Sequence, residues 1–160
     1  MIRALAAAVF VYLAVPSAYL QDQKPNFTGT WTLDVAKSDF GPTPLPDAMT
    51  LVIRHQDPEV SIASSVKNQS TDSTGDVTFT IDAKEHAGKM RVNAVEHDTQ
   101  LTGTWDGKTL VLVSRFEVNG GSLELTDTLT LAEDGKVLSF VRAARTPGGT
   151  FVAKTSFNKR

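Results

Sequence analysis

Cysteine is absent from all 160 residues. The chain can therefore form no disulfide, carry no thiolate metal ligand and use no cysteine nucleophile. An excess of charge of one sign is missing too. Sixteen Lys and Arg stand against eighteen Asp and Glu, intermixed along the chain, for a net charge of -2. A nucleic-acid partner needs a basic stripe to neutralise phosphates, and none exists. Helical periodicity is lacking beyond Gln21, as is the Gly-x-Ser-x-Gly elbow of serine hydrolases. The three histidines, His55, His86 and His97, share no two-residue spacing that would bring a pair onto one strand face, so no metal site is expected. His55 is expected inward at a strand end, His86 in a loop, His97 outward at a turn, and Glu96 inward near a rim. No Ser/His/Asp set or facing pair of carboxylates can be assembled. The expectation is a non-enzyme with no cofactor and no metal.

What is present begins with export. Arg3 is the single charge before Asp22, Ala4–Val15 is an apolar run, and Pro16-Ser17-Ala18 closes it. This is the layout of a secretory signal peptide, and the run is short for a membrane span of about 20 residues. Residues 1–18 are read as the signal, 19–26 as a short linker and 27–160 as one domain. The mature chain is expected in the periplasm or outside the cell, not membrane-spanning and monomeric. With no cysteine after the run it is no lipoprotein, and a bacterial setting suits a cysteine-free exported domain.

The remainder alternates with period two between turn signals. Strands are predicted at Phe27–Leu33, Met49–His55, Val60–Val66, Val77–Ile81, Lys89–His97, Gln100–Trp105, Thr109–Val118, Ser122–Leu131, Val137–Arg145 and Phe151–Asn158. The fold class is all-β, an antiparallel up-and-down meander of about ten strands, closed or flattened into a barrel, with a sandwich as the other closure. Three hairpin dipeptides set register. Asp134-Gly135 pairs Leu131 with Leu138, Leu129 with Phe140 and Asp127 with Arg142. Asn119-Gly120 pairs Phe116 with Leu123, Ser114 with Leu125 and Leu112 with Asp127. Asp106-Gly107 pairs Gly103 with Leu110 and Leu101 with Leu112. Each keeps apolar residues on one face, which a one-residue slip would destroy. Outside, Arg115 meets Glu124 and Glu124 meets Arg145, a charge ladder of about 0.2–1 kcal/mol per pair. That polar exterior is unlike an outer-membrane barrel. Gly41–Pro46, with its three prolines, reads as an extended crossing over one end. Gln69–Gly75 reads as a mobile loop.

The opening strand, Phe27-Thr28-Gly29-Thr30-Trp31-Thr32-Leu33-Asp34, places Gly-x-Trp ahead of an antiparallel meander. In this the chain resembles the calycin superfamily of lipocalins and fatty-acid-binding proteins. With Lys37-Ser38-Asp39-Phe40-Gly41 following, it also resembles exported bacterial proteins of unknown function. The resemblance implies a barrel in which Trp31 packs across the closed end, Gly29 permits close approach, and a late basic residue, Lys154 or Arg160, covers the indole. It loosely implies binding of a small molecule. The chain departs from the pattern in having no helical lid and no second lipocalin motif. Thr-Gly-Thr-Trp recurs at Thr102–Trp105, with different residues after it.

Asp127 and Arg142 are the notable pair. Both fall on the apolar face, between Leu125 and Leu129 and between Phe140 and Ala144, and lie opposite each other. Inward charges are costly unless paired, so the two can simply satisfy one another and pin register. An inward guanidinium also grips a carboxylate or phosphate head group. Small residues on the same face (Ala94, Gly103, Ser114, Ala144 and Ala153) leave room for a cavity. Leu110, Leu112, Phe116, Phe140, Phe151 and Trp105 would wall it. The same set equally describes a packed core. The sequence thus points to an exported binder of a small hydrophobic or amphipathic molecule, with candidate ligand residues Arg142, Asp127, Ser114, Leu112, Phe140 and Trp105. The other reading is a structural or interaction module with a filled core.

Overall fold

The computed structural model describes residues 23–160 apart from 70, 119 and 133. The expected signal peptide, the first part of the expected linker, and Asn119 lie outside the described residues.

Period-two alternation becomes ten strands: β1 (Gly29–Leu33), β2 (Ala48–Gln56), β3 (Glu59–Lys67), β4 (Ser73–Thr80) and β5 (Glu85–Val92). They continue as β6 (Val95–Asp106), β7 (Thr109–Val118), β8 (Gly121–Leu131), β9 (Val137–Thr146) and β10 (Gly149–Lys159). Each pairs antiparallel with the next, and β1 also pairs with β10, Trp31 opposite Lys159 and Leu33 opposite Phe157. The sheet is a closed barrel, not a sandwich, and closure leaves no free edge. Among the described residues no helix is long and apolar enough to cross a membrane.

Inward residues at the end where the chain enters form a filled core. Phe27, Trp31, Leu110, Leu129 and Phe157 are fully buried there, with Leu51, Ile53 and Phe79 almost so. Trp31 crosses this closed end and its Nε1–H donates to the Phe27 carbonyl at 3.0 Å. The residue over its ring is Lys159, with Nζ 5.2 Å from the centroid, rather than Lys154 or Arg160. A side chain at Gly29 would meet the Lys159 Cε at 2.7 Å, so glycine there lets this aliphatic stem lie down on the tryptophan.

Two of the three turn-derived registers hold, including Asp127 with Arg142, Leu112 with Asp127 and the outer ladder of Arg115, Glu124 and Arg145. The third shifts. Asp106 pairs with Thr109, so the loop is Gly107-Lys108 with Gly107 at φ 56, the glycine-first order of a II′ turn. Gly103 consequently faces Leu112, and Leu101 faces Ser114. Moving the partner by two residues preserves every inward face.

The predicted strand Lys89–His97 is two strands. Asn93 and Ala94 form the turn at φ 49 and 66, and Val92 pairs with Val95. Alternation carried straight through a two-residue turn lands on the wrong face. Met90 therefore shares its inward face with His97, while Glu96 is exposed and outside with Arg91 and Lys89. Ala94 is an exposed turn residue, not a small inward one. His86 belongs to β5, not to a loop. The expected loop Gln69–Gly75 gives up Ser73–Gly75 to β4, which pairs with β3. Phe27 is buried but precedes β1. Gly103 marks a close approach: a Cβ there would meet the Thr80 carbonyl oxygen at 2.8 Å, and Ile81 forms a parallel bridge to it instead of ending a strand.

Between β1 and β2 the chain first runs alongside β10. Asp39 and Lys154 exchange backbone hydrogen bonds of 2.7 Å each. Gly41 (φ 57) then turns the chain, with Thr43 N–H donating to the Phe40 carbonyl at 3.2 Å. Pro44–Pro46 continues across the mouth without regular pairing. Asp47 N–H ties its far end to the Lys67 carbonyl at 2.9 Å.

Candidate functional site

Adjacent inward positions of β8 and β9 place Asp127 and Arg142 side by side. The guanidinium grips the carboxylate in bidentate fashion, Nε to Oδ1 at 2.6 Å and Nη2 to Oδ2 at 2.7 Å. This planar fork is available to arginine and not to lysine. The Arg142 Cζ also lies 5.5 Å from the centroid of Phe140, over the ring face of its strand neighbour. Loss of hydration by itself would lower the arginine pKa. The Asp127 charge and its hydrogen bonds outweigh that, and the pKa stands above the usual arginine value.

The two partners differ in exposure. The Asp127 side chain is 7% exposed, whereas that of Arg142 is 43% exposed although it points inward. Space beside the guanidinium is therefore open rather than packed. The sequence explains the opening. Arg142 pairs with Ala153, and Ala144 with Phe151, so small side chains flank the cation where β8 offers leucines. The result is a pocket of about 280 Å³. Phe140 and Phe151 wall it from β9 and β10, Met49 and Val66 face them from β2 and β3, and Phe40 and Pro44 close it from the crossing. Its surface is mostly carbon. Asn68, Thr43 and Thr155 add polar atoms, although the two threonine hydroxyls already donate to the Phe40 and Phe140 carbonyls.

Of the six candidate ligand residues, Arg142 and Phe140 line this pocket and Asp127 stands behind Arg142. The other three do not line it. Leu112 is fully buried in the filled core. Ser114 is 1% exposed on β7. Trp105 stacks on Phe27 at 6.0 Å near the closed end, under Lys24. Among the small residues, Ala144 and Ala153 make room, while Gly103 is occupied by the backbone of Thr80 and Ile81. Phe116 does not line this pocket and packs with Met90 and Leu125 in a second cluster. The cover from the proline crossing matches the expected crossing over one end, whereas the walls from β2 and β3 were not anticipated. Register propagated from the late hairpins does not reach them, because the β2–β3 turn at Asp57-Pro58 carries no hairpin dipeptide.

The histidines stand apart. Buried His55 accepts from the Phe27 N–H at Nδ1 (3.3 Å), and its Nε2 lies 3.0 Å from Asp57 Oδ1 at the closed end. His86 binds Asp82 at 2.9 Å. His97 lies inward against Phe116, ring centroids 5.7 Å apart. Among the described residues no group of three His, Asp or Glu side chains gathers to hold a metal.

No protein-family model matches the sequence, and no curated protein matches it either. Solved structures share the fold. One is the zebrafish ileal bile acid-binding protein complexed with cholic acid, at TM-score 0.52 and 14% identity, covering 84% of this chain and 98% of that one. Another is secretory abundant heat soluble protein 4 from Ramazzottius varieornatus, at TM-score 0.52 and 16% identity, covering 84% of this chain and 94% of that one. The barrel thus has the calycin-like architecture that Gly29-x-Trp31 suggests.

Proposed function

We propose that this is an exported binding protein for a small apolar or amphipathic molecule, seated in the barrel mouth with its polar end against Arg142. One observation carries the reading: an inward, ion-paired arginine whose side chain is 43% exposed beside a carbon-lined pocket. An arginine retained only to satisfy Asp127 has no need of open space. The pocket lies near the lower end of ligand-site volumes, which favours a compact ligand or a single short chain. The zebrafish protein of the same fold, complexed with cholic acid, supports such a use of the architecture. The filled-core alternative suits the closed half of the barrel but not the mouth. Export rests on Arg3–Ala18 and is tested by the N-terminus and mass of protein recovered outside the cytoplasm.

Binding is tested with the uncharged fluorophore N-phenylnaphthylamine, whose emission rises in apolar surroundings. The wild type should bind it. Ala153→Phe, which fills the space opposite Arg142, should abolish the signal while leaving the unfolding midpoint nearly unchanged. Absence of binding, or binding indifferent to Ala153→Phe, refutes the assignment.

A further inference from the structure

We propose that the head group recognised at Arg142 is uncharged, a hydroxyl, carbonyl, ester or amide on an apolar body, and not a free carboxylate or phosphate. The inference rests on the pocket being a ligand site and specifies its chemistry. Both oxygens of Asp127 are already bonded to Arg142, at 2.6 and 2.7 Å, so cation and anion together present no net charge. Among the described residues no second charged side chain lines the pocket, and its other polar groups, Asn68, Thr43 and Thr155, are neutral.

An anion arriving at the free side of the guanidinium would feel Arg142 at contact and Asp127 just beyond it. Coulomb energy falls only as the inverse of distance, so the more distant carboxylate cancels a large part of the attraction. What remains must cover stripping water from the anion among Phe40, Phe140 and Phe151, a cost that commonly exceeds the gain from one charge contact. A neutral acceptor avoids most of that cost. It still receives a charge-assisted hydrogen bond, because Nη1 and one N–H of Nη2 are not used by Asp127. An inward arginine thus serves here as a fixed donor fork, with its charge spent on Asp127.

Matched probes test this. Decanol and decanoate would each displace N-phenylnaphthylamine from the wild type and from Asp127→Asn at neutral pH. Decanol should bind the wild type at least about tenfold more tightly than decanoate. In Asp127→Asn, where the cation is uncompensated, that preference should shrink or reverse. Equal or tighter decanoate binding by the wild type overturns the inference while leaving the pocket assignment intact. A selectivity unmoved in a folded Asp127→Asn protein overturns it as well. Failure of every probe, the fluorophore included, instead removes the pocket assignment itself. The wild-type comparison decides the matter even where the variant does not fold.

Discussion

Removing either member of the Arg142–Asp127 pair should destabilise the barrel, and by unequal amounts. Breaking a buried ion pair costs about 3–5 kcal/mol when the surviving charge is left dry. Arg142→Met strands Asp127, whose side chain is 7% exposed, so a loss of about 3–4 kcal/mol is expected. Asp127→Asn strands a guanidinium that is 43% exposed and already reached by water. Solvent screening reduces that loss to about 1–2 kcal/mol. Replacing both, Asp127→Leu with Arg142→Met, leaves no orphaned charge and should return to within about 1 kcal/mol of the wild type. Urea unfolding followed by tryptophan emission reads the difference, since Trp31 is fully buried in the closed-end core. A gap of about 2 kcal/mol between the single variants separates their midpoints by about 1 M urea. A more damaging Asp127→Asn, or a double variant weaker than both singles, would refute the reasoning.

Two further outcomes are expected. Ala94→Gly should raise stability by about 0.5 kcal/mol, because Ala94 sits at φ 66, where a Cβ is strained and glycine is not, less the entropy glycine adds to the unfolded chain; thermal unfolding checks it, and a loss would mean the turn is built differently. Asp82 is held below its ordinary 3.8, first by the His86 hydrogen bond and then by the Lys84 N–H. A carboxyl whose pKa is depressed on folding contributes stability above its unfolded pKa and loses it as pH falls through the folded one. NMR titration of the Asp82 carboxyl carbon should therefore give a midpoint under 3.8 that climbs in His86→Ala, and an unmoved midpoint would remove His86 as the main cause.

The barrel was legible wherever alternation met a good turn dipeptide. Asp134-Gly135 fixed Asp127 opposite Arg142 and Asn119-Gly120 fixed Leu112 opposite Asp127, each with a glycine that tolerates positive φ, as Gly120 and Gly135 show at 76° and 66°. Asn93-Ala94 hid the β5–β6 break, since alanine gives no turn signal and Met90, Val92, Ala94 and Glu96 alternate straight through it. His97 and Glu96 were accordingly placed on each other's faces. The site was half legible. Inwardness follows from register, but openness depends on what stands across the lumen. Met49, Val66 and the proline crossing reach Arg142 from strands distant in sequence, joined to β9 only through barrel closure. Leu112, Ser114 and Trp105 are inward as well, but at heights where the core is already full.

The seam between β1 and β10 also sets the order of assembly. Trp31 pairs with Lys159, so the first strand has no partner on that side until the last has been made. A contact of such sequence separation forms slowly, and until then both strands show an unpaired edge that invites association. A partly synthesised barrel therefore has no closed state to fall into. Closure waits until β10 meets β1.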